Sequence, residues 1–227
     1  GDGGGLYTHD TLGDDLLIED NEFVGNSAGD DGGAMRVGTC KGLIRRNLIY
    51  QNESEDAGAV FIHTTTGQLR FRNNLVVENV AGRGAGVFSF TASPFVDSNT
   101  FAYNVADDIQ SPSTLHIFEG VVRNNIVAFG TGLGIASSSA TSYAYNDVFG
   151  FSGAEWEIND LTGQDGNISA NPLFALYDAS GIWSNYDFHL SPTSPCIDSG
   201  HPAASFTDAD GTAADMGAYG GPEGSWP

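Results

Sequence analysis

One short pattern, Asn-x-apolar-x-x-Asn, returns along this chain at Asn21–Asn26, Asn47–Asn52, Asn74–Asn79 and Asn99–Asn104, and two weaker copies lacking the second Asn start at Asn125 and Asn146. The leading asparagines stand 26, 27, 25, 26 and 21 residues apart, and Asn171 extends the series by 25. A period of this size constrains the fold more than any local propensity. It predicts stacked units, none of which can bury its own apolar face.

Three residues before each leading Asn stands Ile18, Ile44, Phe71, Val96, Val122 or Tyr143, and two residues after it Phe23, Ile49, Val76, Phe101, Val127 or Val148. Alternation on the upstream side is a strand signature, and the interrupting Asn marks a bend between two strands. A third strand has a Gly-rich entry, at Gly4-Gly5-Leu6-Tyr7, Gly32-Gly33-Ala34-Met35, Gly58-Ala59-Val60-Phe61 and Ala85-Gly86-Val87-Phe88. Coils of three short strands stacked ~4.8 Å apart make a parallel β-helix. The expected architecture is all-β and right-handed, with about seven to eight coils over residues 1–174 and a closing segment over 175–227 packed on them. Asn21, Asn47, Asn74, Asn99, Asn125 and Asn146 should form an internal ladder whose amides satisfy one another at the bend.

The 31 glycines serve those turns, and 29 Asp plus Glu against 8 Lys plus Arg give a net charge of −21. Such a chain repels phosphate backbones and anionic membranes, so nucleic acid is excluded as an expected partner. Crowded carboxylates attract hard cations, which points to calcium and an extracellular or cell-surface setting. No apolar run reaches membrane-spanning length, so no membrane insertion is expected. Whether Cys40 and Cys196 pair is open from sequence alone, two unlinked apolar side chains being the simpler reading. The opening Gly1 to Gly5 reads as the entry of a repeat, so a processed or trimmed chain is expected. An open first coil leaves end-to-end self-association as an option.

Towards the C-terminus, Asn171-Pro-Leu-Phe174, Tyr186-Asp-Phe-His-Leu-Ser-Pro192, Ser194-Pro-Cys-Ile-Asp-Ser-Gly200, Asp208-Ala-Asp-Gly211 and Asp215-Met-Gly-Ala-Tyr-Gly220 follow one another. With the repeats, this run resembles the bacterial right-handed parallel β-helix repeat proteins. The resemblance implies fold and a secreted or surface location more than an activity. Ala213 and Ala214 stand where the family often has a basic residue.

Three groups of residues are candidates for chemistry. Two residues before each leading Asn an outward column runs Glu19, Arg45, Arg72, Asp97, Arg123, with Arg46 and Arg70 nearby; the arginines and Asp97 form a candidate strip for an acidic polysaccharide. The alternative is a surface ladder in which the acids neutralise the arginines. Asp30, Asp56, Arg83 and Asp108, flanked by Asp31, Glu55 and Asp107, form a second column, read as calcium ligands or as a solvated acidic edge. Asp208, Asp210 and Asp215 resemble the opening of a calcium loop, against an Asx-type turn. His9 and His63 share a column with Val37 between them. No nucleophile elbow, zinc motif or phosphate loop is present. The expected function is therefore a calcium-stabilised surface module that binds polysaccharide or acts as an adhesive spacer, the alternative being a lyase or glycosidase on an acidic glycan.

Overall fold

The computed structural model describes the whole chain except residues 10–15, 39, 65–68, 108–110, 137, 179, 181, 183–184 and 227. Its organising event is a bend that recurs once per coil. The residue before each leading asparagine (Asp20, Arg46, Asn73, Ser98, Asn124, Tyr145) sits in the left-handed region at φ between 51 and 57°. A non-glycine residue there costs about 1 kcal/mol, and the following asparagine offsets it. Asn74, for example, donates its amide to the Arg72 and Ile44 carbonyls and to Asn99 Oδ1, each at 3.0 Å.

These bends repeat in one vertical row, so the ladder forms as the spacing predicts. Asn21, Asn47, Asn74, Asn99, Asn125 and Asn146 are linked amide to amide at 2.9–3.1 Å. Asn167, 21 residues on, receives the last bond from Asn146, so the continuation lies there and not at Asn171. The trailing asparagines Asn26, Asn52, Asn79 and Asn104 build a second ladder at the next corner.

Between corners lie three parallel sheets of six strands each. Sheet A comprises Leu6–Thr8, Met35–Gly38, Val60–His63, Val87–Phe90, Ser113–Ile117 and Leu133–Ala136. Sheet B comprises Leu16–Glu19, Gly42–Arg45, Leu69–Arg72, Phe95–Asp97, Glu119–Arg123 and Ala140–Ala144. Sheet C comprises Glu22–Val24, Leu48–Tyr50, Leu75–Val77, Thr100–Ala102, Ile126–Ala128 and Asp147–Phe149. Six strands per sheet put the coil count below the expected seven to eight. Among the described residues the next turn of chain joins the stack through isolated bridges, Ile135 to Trp156 and Asp147 to Ile168, because residues 151–170 turn too often to complete another coil.

The inward columns pack as one core from Ile18 to Tyr143 and from Phe23 to Val148. The Gly-rich entries to sheet A have a steric cause. A Cβ on Gly58 would stand 2.6 Å from the Val80 carbonyl oxygen, so only glycine lets the coils close there.

After Phe149 the chain turns back along the stack. An antiparallel pair, Phe174–Leu176 with Asp187–Leu190, and the segment beyond it cover the outside of sheet C. Phe188 and Ala218 pack on Leu75, Val77 and Ala102, while Cys196 and Met216 pack on Ile126 and Ala128. Asn73 donates to the Ala218 and Gly220 carbonyls at 2.9 and 2.8 Å. Tyr177 and Tyr186 both donate to Glu78, at 2.8 and 2.7 Å. No disulfide joins Cys40 and Cys196. No helix in the described residues is long and apolar enough to cross a membrane.

Candidate functional site

The arginine column on sheet B is in the register the spacing predicts: Glu19 beside Arg45, Arg45 beside Arg72, Arg72 beside Asp97, Asp97 beside Arg123. Its guanidinium groups are engaged by this chain's own carboxylates. Arg45 meets Glu19 at 2.7 Å and Glu223 at 3.0 Å; Arg72 meets Glu223 at 3.5 Å. Arg123 and Arg70 approach Asp97 at 2.7 and 3.7 Å, and Arg123 also lies over the Phe206 ring. Glu223 thus ties the end of the closing segment onto the row.

The acidic column is shifted by one residue. Asp31, not Asp30, bridges to Asp56, and Asp56 to Arg83, since the turn after Asn26 carries one more residue than the turn after Asn52. Arg83 grips Asp56 with two bonds of 2.8 Å, and Asp31 faces Arg36 at 3.4 Å. Asp108 lies outside the described residues. In the C-terminal loop, Asp208 accepts backbone N–H from Gly221 and from Asp215, the latter at 3.0 Å. Asp215 accepts from the Asp198 N–H at 2.8 Å, and Asp210 from Thr212 at 3.0 Å. These carboxylates are turned to backbone donors, as in an Asx-type turn. Burial nevertheless lifts the Asp208 carboxyl to about 6. Among the described residues no three His, Cys, Asp or Glu side chains are grouped to hold a metal ion.

The outer face of sheet A is of another kind. One column runs Tyr7, Arg36, Phe61, Phe88, His116, Ala136 in register. Beside it stand His63 and Phe90, which pair, and then Phe118. Ring centroids along and across this surface are 4.7–6.1 Å apart from Phe61 to Phe118. Arg36 extends the row by lying 5.4 Å from both the Tyr7 and Phe61 rings, and Arg83 lies 5.2 Å from Phe88. Tyr7, Phe90 and Phe118 are 51, 44 and 43% exposed. Rings are placed here because outward sheet positions repeat every coil, and stacked aromatics stabilise adjacent rungs.

Gly38, not Val37, lies between His9 and His63: it pairs with His63, and a Cβ there would touch the His9 ring at 3.0 Å. Burial, with Arg36 and His9 near, pushes the His63 imidazole below its ordinary range. At its far end the row enters a cleft of about 730 Å³ lined by His116, Phe118, Ser111, Thr141, Tyr143 and Glu157, among others. Burial pushes the pKa of the His116 imidazole down.

This aromatic surface escapes a reading of the sequence that aligns Met35 with Tyr7, Phe61 and Phe88. The true register is Leu6 with Met35 and Tyr7 with Arg36, and a slip of one residue exchanges the two faces of a strand. Tracing Phe61, Phe88 and His116 at steps near one coil, with Tyr7 two coils before Phe61, would have exposed the row. Compared with known proteins, the chain matches no family model, no curated protein and no solved structure.

Proposed function

We propose that the chain is a non-catalytic module that binds an uncharged polysaccharide along the outer face of sheet A. The observation that carries this is the pair of exposed rings on adjacent rungs, Phe90 and Phe118, 5.8 Å apart and backed by the buried Phe61 and Phe88, while the arginine row of sheet B is spent on internal ion pairs. Aromatic faces attract the C–H faces of sugars, and a polymer lying over several rungs gains from each. Every arginine of the chain stands against a carboxylate, as Arg36 does at Asp2 (3.1 Å) and Arg46 at Asp20 (2.7 Å). A net charge of −21 repels a polyanion. An acidic-glycan lyase or glycosidase draws little support from this arrangement: among the described residues Glu157 is the one carboxylate lining the cleft, whereas glycoside hydrolysis ordinarily uses two. The extracellular or cell-surface setting in this proposal rests on the acidic composition and on the resemblance of the C-terminal run.

Electrophoresis through gels holding β-glucan, mannan, xylan, polygalacturonate or alginate, at low and high salt, tests the reading. Retardation by an uncharged polymer that survives high salt is expected. Retardation by uronates alone, abolished by salt, would refute it. Concentration-dependent dimerisation that buries the rings would give the face to a second copy of this chain.

A further inference from the structure

Resting on the polysaccharide reading, we infer that the cleft ending the ring row is a subsite for the terminal sugar unit of the bound glycan. The row does not fade into solvent. His116 is followed in register by Ala136, and because Trp156 bridges Ile135, Glu157 comes next. Its own N–H donates to the Ile135 carbonyl at 3.1 Å. A small residue thus stands between an imidazole and a carboxylate one rung to either side, and space opens above it.

Ser111, just ahead of the strand Ser113–Ile117, donates its hydroxyl to Glu157 Oε1 at 3.1 Å, which fixes the carboxylate across the opening. Glu157, Ile158, Asn159 and Leu161 line the side beyond Ala136, where a chain following the rings would end. The volume, about 730 Å³, falls among small-molecule pockets of roughly 300–1,000 Å³.

The polar groups suit hydroxyls. Glu157 is an exposed acceptor, and a carboxylate can take two neighbouring sugar hydroxyls at once. His116 Nδ1 is buried with no partner. Placing the single proton of the neutral ring on Nε2 avoids an orphaned buried N–H and turns a donor outward. The Phe118 ring, 4.7 Å from that of His116, supplies the apolar wall beside the donor.

Calorimetric titration with cellohexaose, laminarihexaose, mannohexaose and xylohexaose, each also carrying an aryl block at either end in turn, tests the subsite. The expected result is that one hexaose binds and that blocking one end weakens it about tenfold. Glu157→Gln should cost the same factor with an unchanged melting temperature, and should cost nothing further on the blocked sugar. Unchanged affinity in Glu157→Gln and for both blocked forms, with binding still lost in Phe90→Ala, would overturn the subsite and leave the ring row standing. Loss in Glu157→Gln without loss in Phe90→Ala would overturn the ring row. Failure of the unaltered protein to bind any of the four sugars would overturn both.

Discussion

The outer faces of sheet A and of sheets B and C are built on the same coil, with the same rise and the same inward core, yet the closing segment packs on sheet C and reaches the arginine row of sheet B, while sheet A keeps two exposed rings side by side. On sheet C the closing segment covers Leu75, Val77, Ala102, Ile126 and Ala128. On sheet B its Glu223 engages Arg45 and Arg72. On sheet A, Phe90 and Phe118 remain exposed at 44 and 43%. Large exposed apolar side chains in a row mark interaction surfaces, whereas the same area under a chain's own segment is core. Charge alone therefore misleads: the most charged column of the stack serves cohesion, and the exposed rings, Phe90 and Phe118, stand on the sheet with no such ion-pair row.

The largest effect that bears on this contrast is at the corner shared by sheets B and C. Asn99 donates to Phe71 and Asp97 carbonyls and to Asn125, at 2.9, 3.0 and 3.0 Å, and accepts both bonds from Asn74, all without solvent. Asn99→Ala should cost about 4 kcal/mol in chemical denaturation, since several buried groups lose partners together. Asn21→Ala, at the exposed start of the ladder, should cost about 1 kcal/mol. Equal costs would mean that the ladder does not carry the stack.

A smaller effect probes how the closed face is held. Asp147, fully buried, accepts from the Ala170 N–H at 2.9 Å and from the Cys196 thiol at 3.1 Å. Burial raises its carboxyl to about 6, so the folded chain keeps a proton that the unfolded chain releases near pH 4. The associated stability is complete below that pH and is lost as pH rises through about 6, a change on the order of 3 kcal/mol. Asp147→Asn should reduce the fall of melting temperature with pH across this window, leaving the part carried by Asp208, and melt higher than the unaltered protein at neutral pH. A slope unchanged by the substitution would remove Asp147 from the account.

Much of this was legible in the sequence, and the reason is physical. An asparagine ladder tolerates no slip, so spacings of 25 to 27 residues fixed the register of Ile18 with Ile44 and of Arg45 with Arg72. The Gly-rich turns allow one residue more or less per coil, which displaced Asp30 from Asp56 and hid Arg36 among the rings of sheet A. The landing place of the closing segment was not legible. Asn73 meets Ala218 across 145 residues, and no periodicity links them. The fate of the arginine row depended on that contact with Glu223, so its pairing became visible only in three dimensions.

The most direct test of the claim that the ring row, not the arginine row, is the working surface compares two double variants on whichever polysaccharide retards the unaltered protein. Phe90→Ala with Phe118→Ala removes exposed rings, while Arg45→Gln with Arg72→Gln removes guanidinium groups bound to Glu223. Affinity should fall about tenfold or more in the first pair and stay unchanged in the second. Undiminished binding without the rings, or binding lost with the arginines while the fold still melts normally, would contradict the account.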